Sequence, residues 1–274
     1  MTEDELLALG EEGFIAGPGE SAEELQRRAA FCKNLKETFQ LYPLEEAAAI
    51  VSGALPLTEK LYGIAPSWIL CFFSNHELKP WHGGCAWIFK ENDKSPTAAF
   101  LQLRKGWRGK DQMLGLYKRD ELIAHELSHV GRMMFEEPIY EEFFAYLTSS
   151  SPFQRFFGPL IRSSYESMAF VVTLFTLVLL DAISLFSGYL DVYEKLQWLK
   201  FLPIGMVLYA AGRLFFRQGR FRKARGKFGR GLYLLTDAEI DEVYALSPQE
   251  VEEWVENHKD KELRLTQLFL WMRR

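Results

Sequence analysis

Glu121-Leu122-Ile123-Ala124-His125-Glu126-Leu127-Ser128-His129 is the stretch from which the rest of the chain can be placed. Residues four apart on an α-helix share a face about 6 Å apart, so His125 and His129 can offer imidazole nitrogens to one Zn2+. Glu126 follows the first histidine, where its carboxylate can take a proton from a water activated by the metal and pass it to a leaving amine. Lys118 to Asp120 start the helix, with Asp120 and Glu121 at its positive end. His, Glu and His at these positions arise by chance on the order of once per hundred chains of this length.

Catalytic zinc usually has three protein ligands and one open position. The third is sought in Glu141-Glu142-Phe143-Phe144-Ala145-Tyr146. Pro138 suits the start of a second helix, running to about Leu147, after a reversal at Glu136 to Pro138. On it Glu142 shares a face with Ile139, Ala145 and Tyr146, whereas Glu141 points about 100° away, which selects Glu142. Ala145, one turn on, leaves room for the first helix to approach. The expectation is one Zn2+ per chain held by His125, His129 and Glu142, with Glu126 as general base of a peptide hydrolase.

These residues resemble the gluzincin-type zinc metallopeptidases, in which HExxH is followed by a glutamate on the next helix. The short spacing looks most like the compact minigluzincins, and the resemblance covers roughly Pro66 to Ser150. It implies an α+β, zincin-like core, with a small, mostly antiparallel sheet over the active-site helix, and the same ligands and base. Many gluzincins orient the first histidine with an acidic residue four after the ligand glutamate. Here that position is Tyr146, so a phenol or a backbone carbonyl is expected instead.

Ahead of the metal helix, Ser67 to Phe73, Cys85 to Lys90 and Ala98 to Arg104 read as strands, with His82-Gly83-Gly84 and Glu91-Asn92-Asp93 as turns. The last strand is expected at the sheet edge, where Ala98, Ala99, Phe100, Leu101 and Gln102 would bind an extended peptide or protein substrate through the backbone. His82, Tyr140 and Tyr146 are candidate donors to a tetrahedral oxyanion, against the plainer readings of a polar turn and of aromatic packing.

With 274 residues, the chain can bury a full core. A net charge of −5 argues against nucleic acid as a partner. Cys32, Cys71 and Cys85 are sparse and odd in number, which suggests reduced thiols in a cytoplasm-like compartment. Met1-Thr-Glu-Asp-Glu lacks the basic and apolar pattern of a secretory signal.

Residues 1–65 read as an N-terminal helical region. A capping box at Ser21-Ala-Glu-Glu24 starts a helix through Gln40, which Tyr42-Pro43 ends, and a short helix runs from Leu44 to Ser52. The metallopeptidase core occupies 66–150. Residues 151–230 form a membrane hairpin: 168–190 holds one charge, Asp181, and spans about 34 Å against a bilayer core of about 30 Å. The weaker segment, 198–216, is interrupted by Pro203, Gly205, Gly212 and Arg213, the last a candidate partner for Asp181.

Arg217, Arg220, Arg222, Lys223, Arg225, Lys227 and Arg230 follow without an acidic residue among them, and Arg155 and Arg162 precede the first segment. A two-pass protein with both termini and the metal site in the cytoplasm is therefore expected, its basic run suited to anionic membrane lipids. Residues 231–274 form a C-terminal helical segment with N-terminal helix signals at Thr236-Asp-Ala-Glu239 and Ser247-Pro-Gln-Glu250. The alternative class is a non-catalytic membrane adaptor with a structural or vestigial zinc site, for which Glu126 would have no use. An intramembrane protease fits poorly, because both apolar segments follow the third ligand.

Overall fold

The computed structural model describes residues 1–38, 45–79, 82–90, 95–113, 117–161, 164–188 and 190–274. The fold is α+β and mostly helical. The turns expected at Tyr42-Pro43 and Glu91-Asn92-Asp93 lie outside the described residues.

Local capping sets the N-terminal helices. Thr2 and Glu5 satisfy each other's backbone amides at the start of α1 (Glu3–Glu11), and Ser21 and Glu24 do the same for α2 (Ala22–Thr38). The next helix, α3 (Glu45–Tyr62), passes through Pro56 and ends well beyond Ser52, where the sequence suggested a stop. Proline removes one intrahelical bond, but Val51, Ala54, Thr58 and Tyr62 bury a continuous face and carry the helix through.

The main sheet has the order β1-β3-β2, from β1 (Leu70–Phe73), β2 (Gly84–Phe89) and β3 (Ala98–Leu103). It is mixed: β3 runs parallel to β1, with Leu70 opposite Phe100, and antiparallel to β2, with Ala86 opposite Leu101. The strand expected at the edge is therefore the central one. Ala98, Ala99, Leu101 and Gln102 are buried, as a strand covered on both faces requires, and Phe100 is half-buried. Gln102 ties the strands together, accepting from the Trp87 indole at 2.7 Å and donating to the His76 carbonyl at 2.8 Å.

A two-residue ladder of β4 (Gln112–Met113) and β5 (Tyr117–Lys118) leads into α4 (Arg119–Gly131). This helix lies between α3 and the β2 side of the sheet. After a loop comes α5 (Glu141–Ala145), continued by a 3-10 turn at Tyr146–Thr148. Pro138 does not start this helix. The amides of Ile139 and Tyr140 donate to the Asp237 carboxylate at 2.7 and 3.1 Å, so the cap comes from almost a hundred residues downstream.

The remaining helices are α6 (Pro152–Phe157), α7 (Ser164–Phe186), α8 (Leu190–Leu196) and α9 (Phe201–Phe228). α7 and the first part of α9 pair antiparallel. Both are long and apolar enough to cross a membrane, and almost nothing of either is buried within the protein. The expected pairing of Asp181 with Arg213 does not form. Antiparallel packing sets Asp181 against Lys200 at 2.9 Å and Arg213 against Glu166 at 2.6 Å, one ion pair at each end of the hairpin. α7 ends at Phe186, before Leu190, and α9 runs on through the basic run, burying Leu214, Gln218, Phe221, Ala224 and Phe228.

A 3-10 stretch at Gly229–Leu234 connects to α10 (Asp237–Val243), α11 (Pro248–His258) and α12 (Leu263–Met272). Capping boxes open α10 and α11 at Thr236 and Ser247. One apolar cluster joins the sheet, α2, α3 and α4; the other joins α5 to the second half of α9 and α10–α12. The buried Gln267 fastens α12 to the N-terminal segment, accepting from Ala16 N–H at 3.2 Å and donating to Leu6 O at 3.1 Å.

Candidate metal centre

One turn of α4 presents His125 and His129 side by side, their ring centroids 5.2 Å apart. The short α5, aimed by the Asp237 cap, brings Glu142 over them. Glu142 Oε2 lies 3.7 Å from His125 Nε2, and Glu142 Oε1 lies 3.9 Å from His129 Nε2. The three donor atoms fall within 4.8 Å of one another. Ligand bonds of about 2.0–2.1 Å in a tetrahedron set donors about 3.4 Å apart, so small side-chain rotations fit this set to a zinc ion.

The histidines are held from behind by different means. His129 Nδ1 faces Glu141 Oε1 at 3.1 Å, and the other Glu141 oxygen accepts from Arg132 Nε at 2.9 Å. Arg132 is itself buried and donates through Nη1 to the carbonyls of Tyr233, at 2.6 Å, and Leu235, at 3.0 Å. Tyr233 returns to the metal helix, its hydroxyl donating to Ser128 O at 2.5 Å. The approach is possible because residue 131 is glycine: a Cβ there would overlap the Tyr233 ring. His125 is held by the main chain of Ala145 and by the edge of the Tyr146 ring, with centroids 4.8 Å apart. A backbone group and a phenol ring thus stand where an acidic residue was lacking.

The electrostatics favour a cation. Burial, and then the neighbouring His129, depress His125 to about 3, so its ring is neutral and keeps the lone pair a metal needs. Burial alone would lower His129 as well, but the Glu141 hydrogen bond and the charge of Glu142 outweigh it and raise His129 to about 9. Glu126 and Glu142 are both pushed up by burial. Glu142, withdrawn from water beside two imidazoles, is a donor that a divalent ion would neutralise, and Glu126 adds a second carboxylate nearby.

Glu126 is not part of the donor group. Its Oε2 accepts from the Ala86 amide at 2.8 Å, which fixes the carboxylate against the edge strand β2. The other named residues are dispersed. Tyr140 is fully buried, and its hydroxyl donates to Asp241 Oδ1 at 2.6 Å, away from the histidines. His82 sits in the turn before β2, where its carbonyl accepts from Arg104 at 2.8 Å, and is outside the donor group. Tyr146 has its ring against His125, with centroids 4.8 Å apart. Ala98 to Gln102 lie on the central strand, paired on both sides.

Glu141, Arg132 and Asp237 were not singled out as functional by sequence reasoning. Glu141 carries a faint signal, since a carboxylate beside a ligand glutamate often braces a ligand. Arg132 and Asp237 act through contacts about a hundred residues apart. No family model, curated protein or solved structure matches the chain.

Proposed function

We propose that the chain is a membrane-anchored zinc metallopeptidase with a zincin-like core at 66–150, facing the cytoplasm. The observation that carries this reading is the convergence of His125, His129 and Glu142 from two helices, with Glu126 beside them at a free strand edge. Zinc bound there supplies a Lewis acid for the scissile carbonyl and lowers the pKa of water toward about 7.

The protein's own groups do the rest. Glu126 takes the proton of the attacking water and delivers it to the leaving nitrogen; its burial, which raises its pKa, suits it to hold that proton between the two steps. Glu141 and Ala145 fix the two imidazoles. The outer edge of β2, and not β3, is where an extended peptide adds as a further strand, with its backbone running past Glu126. Tyr146, whose ring meets His125, is the candidate donor to the oxygen of the reacting carbonyl.

The apolar pair anchors this site. α7 and the first half of α9 cross the bilayer as a hairpin, and the basic residues on both outer flanks keep the termini and the metal site in the cytoplasm. The ion pairs Glu166–Arg213 and Asp181–Lys200 then lie toward the two interfaces.

The test combines metal analysis with digestion of a broad peptide library, with and without chelator. One zinc per chain and chelator-sensitive cleavage are expected, both lost in His129→Ala. Zinc without cleavage would leave a non-catalytic adaptor as the better reading. Recovery of the full chain as a detergent-free soluble monomer would refute insertion.

A further inference from the structure

We propose that the cleft between α6 and the second half of α9 binds the phosphate of an anionic phospholipid, a site that rests on the membrane-spanning reading of α7 and α9. The cleft has a volume of about 470 Å3 and is walled by Leu147 and Phe221, with Arg155, Gln218, Arg222 and Arg225 at its lining. Three guanidinium groups thus share one small volume, and Arg155 and Arg225 stand close enough to repel each other.

Two other cations of the basic run have partners. Arg220 pairs with Asp241 at 2.8 Å, and Lys227 donates to the carbonyls of Tyr244 and Leu246. Among the described residues, none of Arg155, Arg222 and Arg225 has an ion pair or a side-chain hydrogen bond; Arg222 only lies over the Phe156 ring, 5.3 Å from its centroid. Gln218 adds a second sign. Its side chain is 8 % exposed and its Oε1 has no partner, an arrangement that costs free energy unless something polar enters the cleft. A half-turn of the amide would present its NH2 to an anion. Guanidinium groups suit phosphate oxygens because they donate in pairs at fixed geometry.

The surroundings select a lipid over free phosphate. Gln218 is half a turn beyond Phe216, where the apolar run of α9 ends. Phe153 and Phe157 of α6 and Phe215 of α9 are exposed on the two helices that form the cleft, with Phe156 packed on Phe215 at 5.1 Å. A headgroup held by the arginines would leave its acyl chains along those rings, at the level where cationic pockets beside membrane helices take anionic headgroups.

The experiment uses the full chain, purified in a neutral detergent, with bound lipid read by native mass spectrometry during titration with phosphatidylglycerol or phosphatidylcholine. One phosphatidylglycerol per chain is expected, with phosphatidylcholine at least about tenfold weaker. Arg155→Gln/Arg222→Gln should weaken phosphatidylglycerol about tenfold or more, whereas Lys223→Gln/Arg230→Gln, with the same loss of charge outside the cleft, should leave it unchanged. All four side chains are exposed, so neither variant opens a cavity. Equal losses in both variants would mean diffuse attraction, displacement by millimolar inorganic phosphate would mean a free-anion site, and absence of retained lipid would mean no site. Each of these overturns the proposal. Resistance of vesicle-bound protein to alkaline extraction reports on insertion separately, so a spanning protein without the lipid site is recognised as such.

Discussion

The backbone amide of Ala86 donates to the Glu126 carboxylate at 2.8 Å, tying the free edge of the sheet to the residue assigned the proton transfers. An amide oxygen at position 126 would still accept this bond but could not carry a proton. Glu126→Gln should therefore retain zinc and β2 in place while kcat falls about 10²- to 10⁴-fold. Metal content and steady-state kinetics check this together, and a wild-type rate would remove Glu126 as the base.

Glu141 and Glu142 are adjacent yet serve opposite sides of His129: Glu141 faces Nδ1 at 3.1 Å and Glu142 lies 3.9 Å from Nε2. Glu141→Gln should lower zinc affinity by about 10- to 100-fold, the usual effect of losing a group that orients a ligand. Glu142→Gln, which removes a donor, should lower it further. Competition with a fluorescent chelator measures both; equal losses would contradict the division of roles.

Tyr146 lies flat on Gly158, so that a Cβ at 158 would overlap its ring, while its edge meets His125. Gly158→Ala should cost about 1–3 kcal/mol through overpacking and reduce turnover by displacing the ring from the histidine. Adding Tyr146→Ala should restore the melting temperature but not the rate. A single variant as stable and active as the wild type would show that this packing is dispensable.

Asp237 accepts from Ile139 and Tyr140 and so fixes the start of the helix that carries Glu142. Asp237→Ala leaves one buried and one part-buried amide without an acceptor, at a cost of about 1–3 kcal/mol each at most. The expected result is a lower melting temperature together with weakened zinc binding, although the residue touches no ligand. Zinc affinity at the wild-type level would show that α5 keeps its place without the cap.

Burial by itself would raise the pKa of Glu239, but the Arg264 guanidinium at 2.8 Å and the Thr236 cap outweigh it and hold the carboxyl below its ordinary value. A depressed carboxyl contributes stability above its unfolded-state pKa and loses it as the pH falls through the folded value. In metal-free protein the stability gap between wild type and Glu239→Gln should be full near neutral pH and shrink below about pH 4. Denaturant melts across that range test the sign; a gap that grows toward acid would reverse it.

The legible parts were those written in short-range pattern. Ser21, Thr236 and Ser247 each announce a helix start, because a cap and its glutamate are three residues apart. His125 and His129 are visible for the same reason, one turn apart on α4. Glu142 follows from helical facing even though its helix begins later than Pro138 suggests, since an angular argument depends on relative position and not on the boundary. What failed depended on partners remote in sequence. Strand order is decided by which neighbours cover Ala98 to Leu103, and an apolar run alone does not distinguish a centre from an edge. The helix expected to stop at Ser52 runs on through Pro56 because Ala54, Thr58 and Tyr62 continue its buried face. The partners of Asp181 and Arg213 follow from the register of two antiparallel helices, which neither helix encodes by itself.

Gln267 bonds to the first segment of the chain through Ala16 and Leu6. During synthesis the end of α1 can meet the Ala65 amide and the Trp68 indole early, through the carbonyls of Glu11 and Glu12, but its contacts with α12 wait until that helix has emerged from the ribosome. The apolar pair is complete at Phe216, about 50 residues earlier, which at about 5–20 residues per second is a lead of roughly three to ten seconds. The most water-averse part of the chain is thus exposed while the N-terminal segment still waits for its last contact. The apolar pair, in consequence, is fully made before the contacts of α12 with the N-terminal segment close the fold, and it stays outside the core even then.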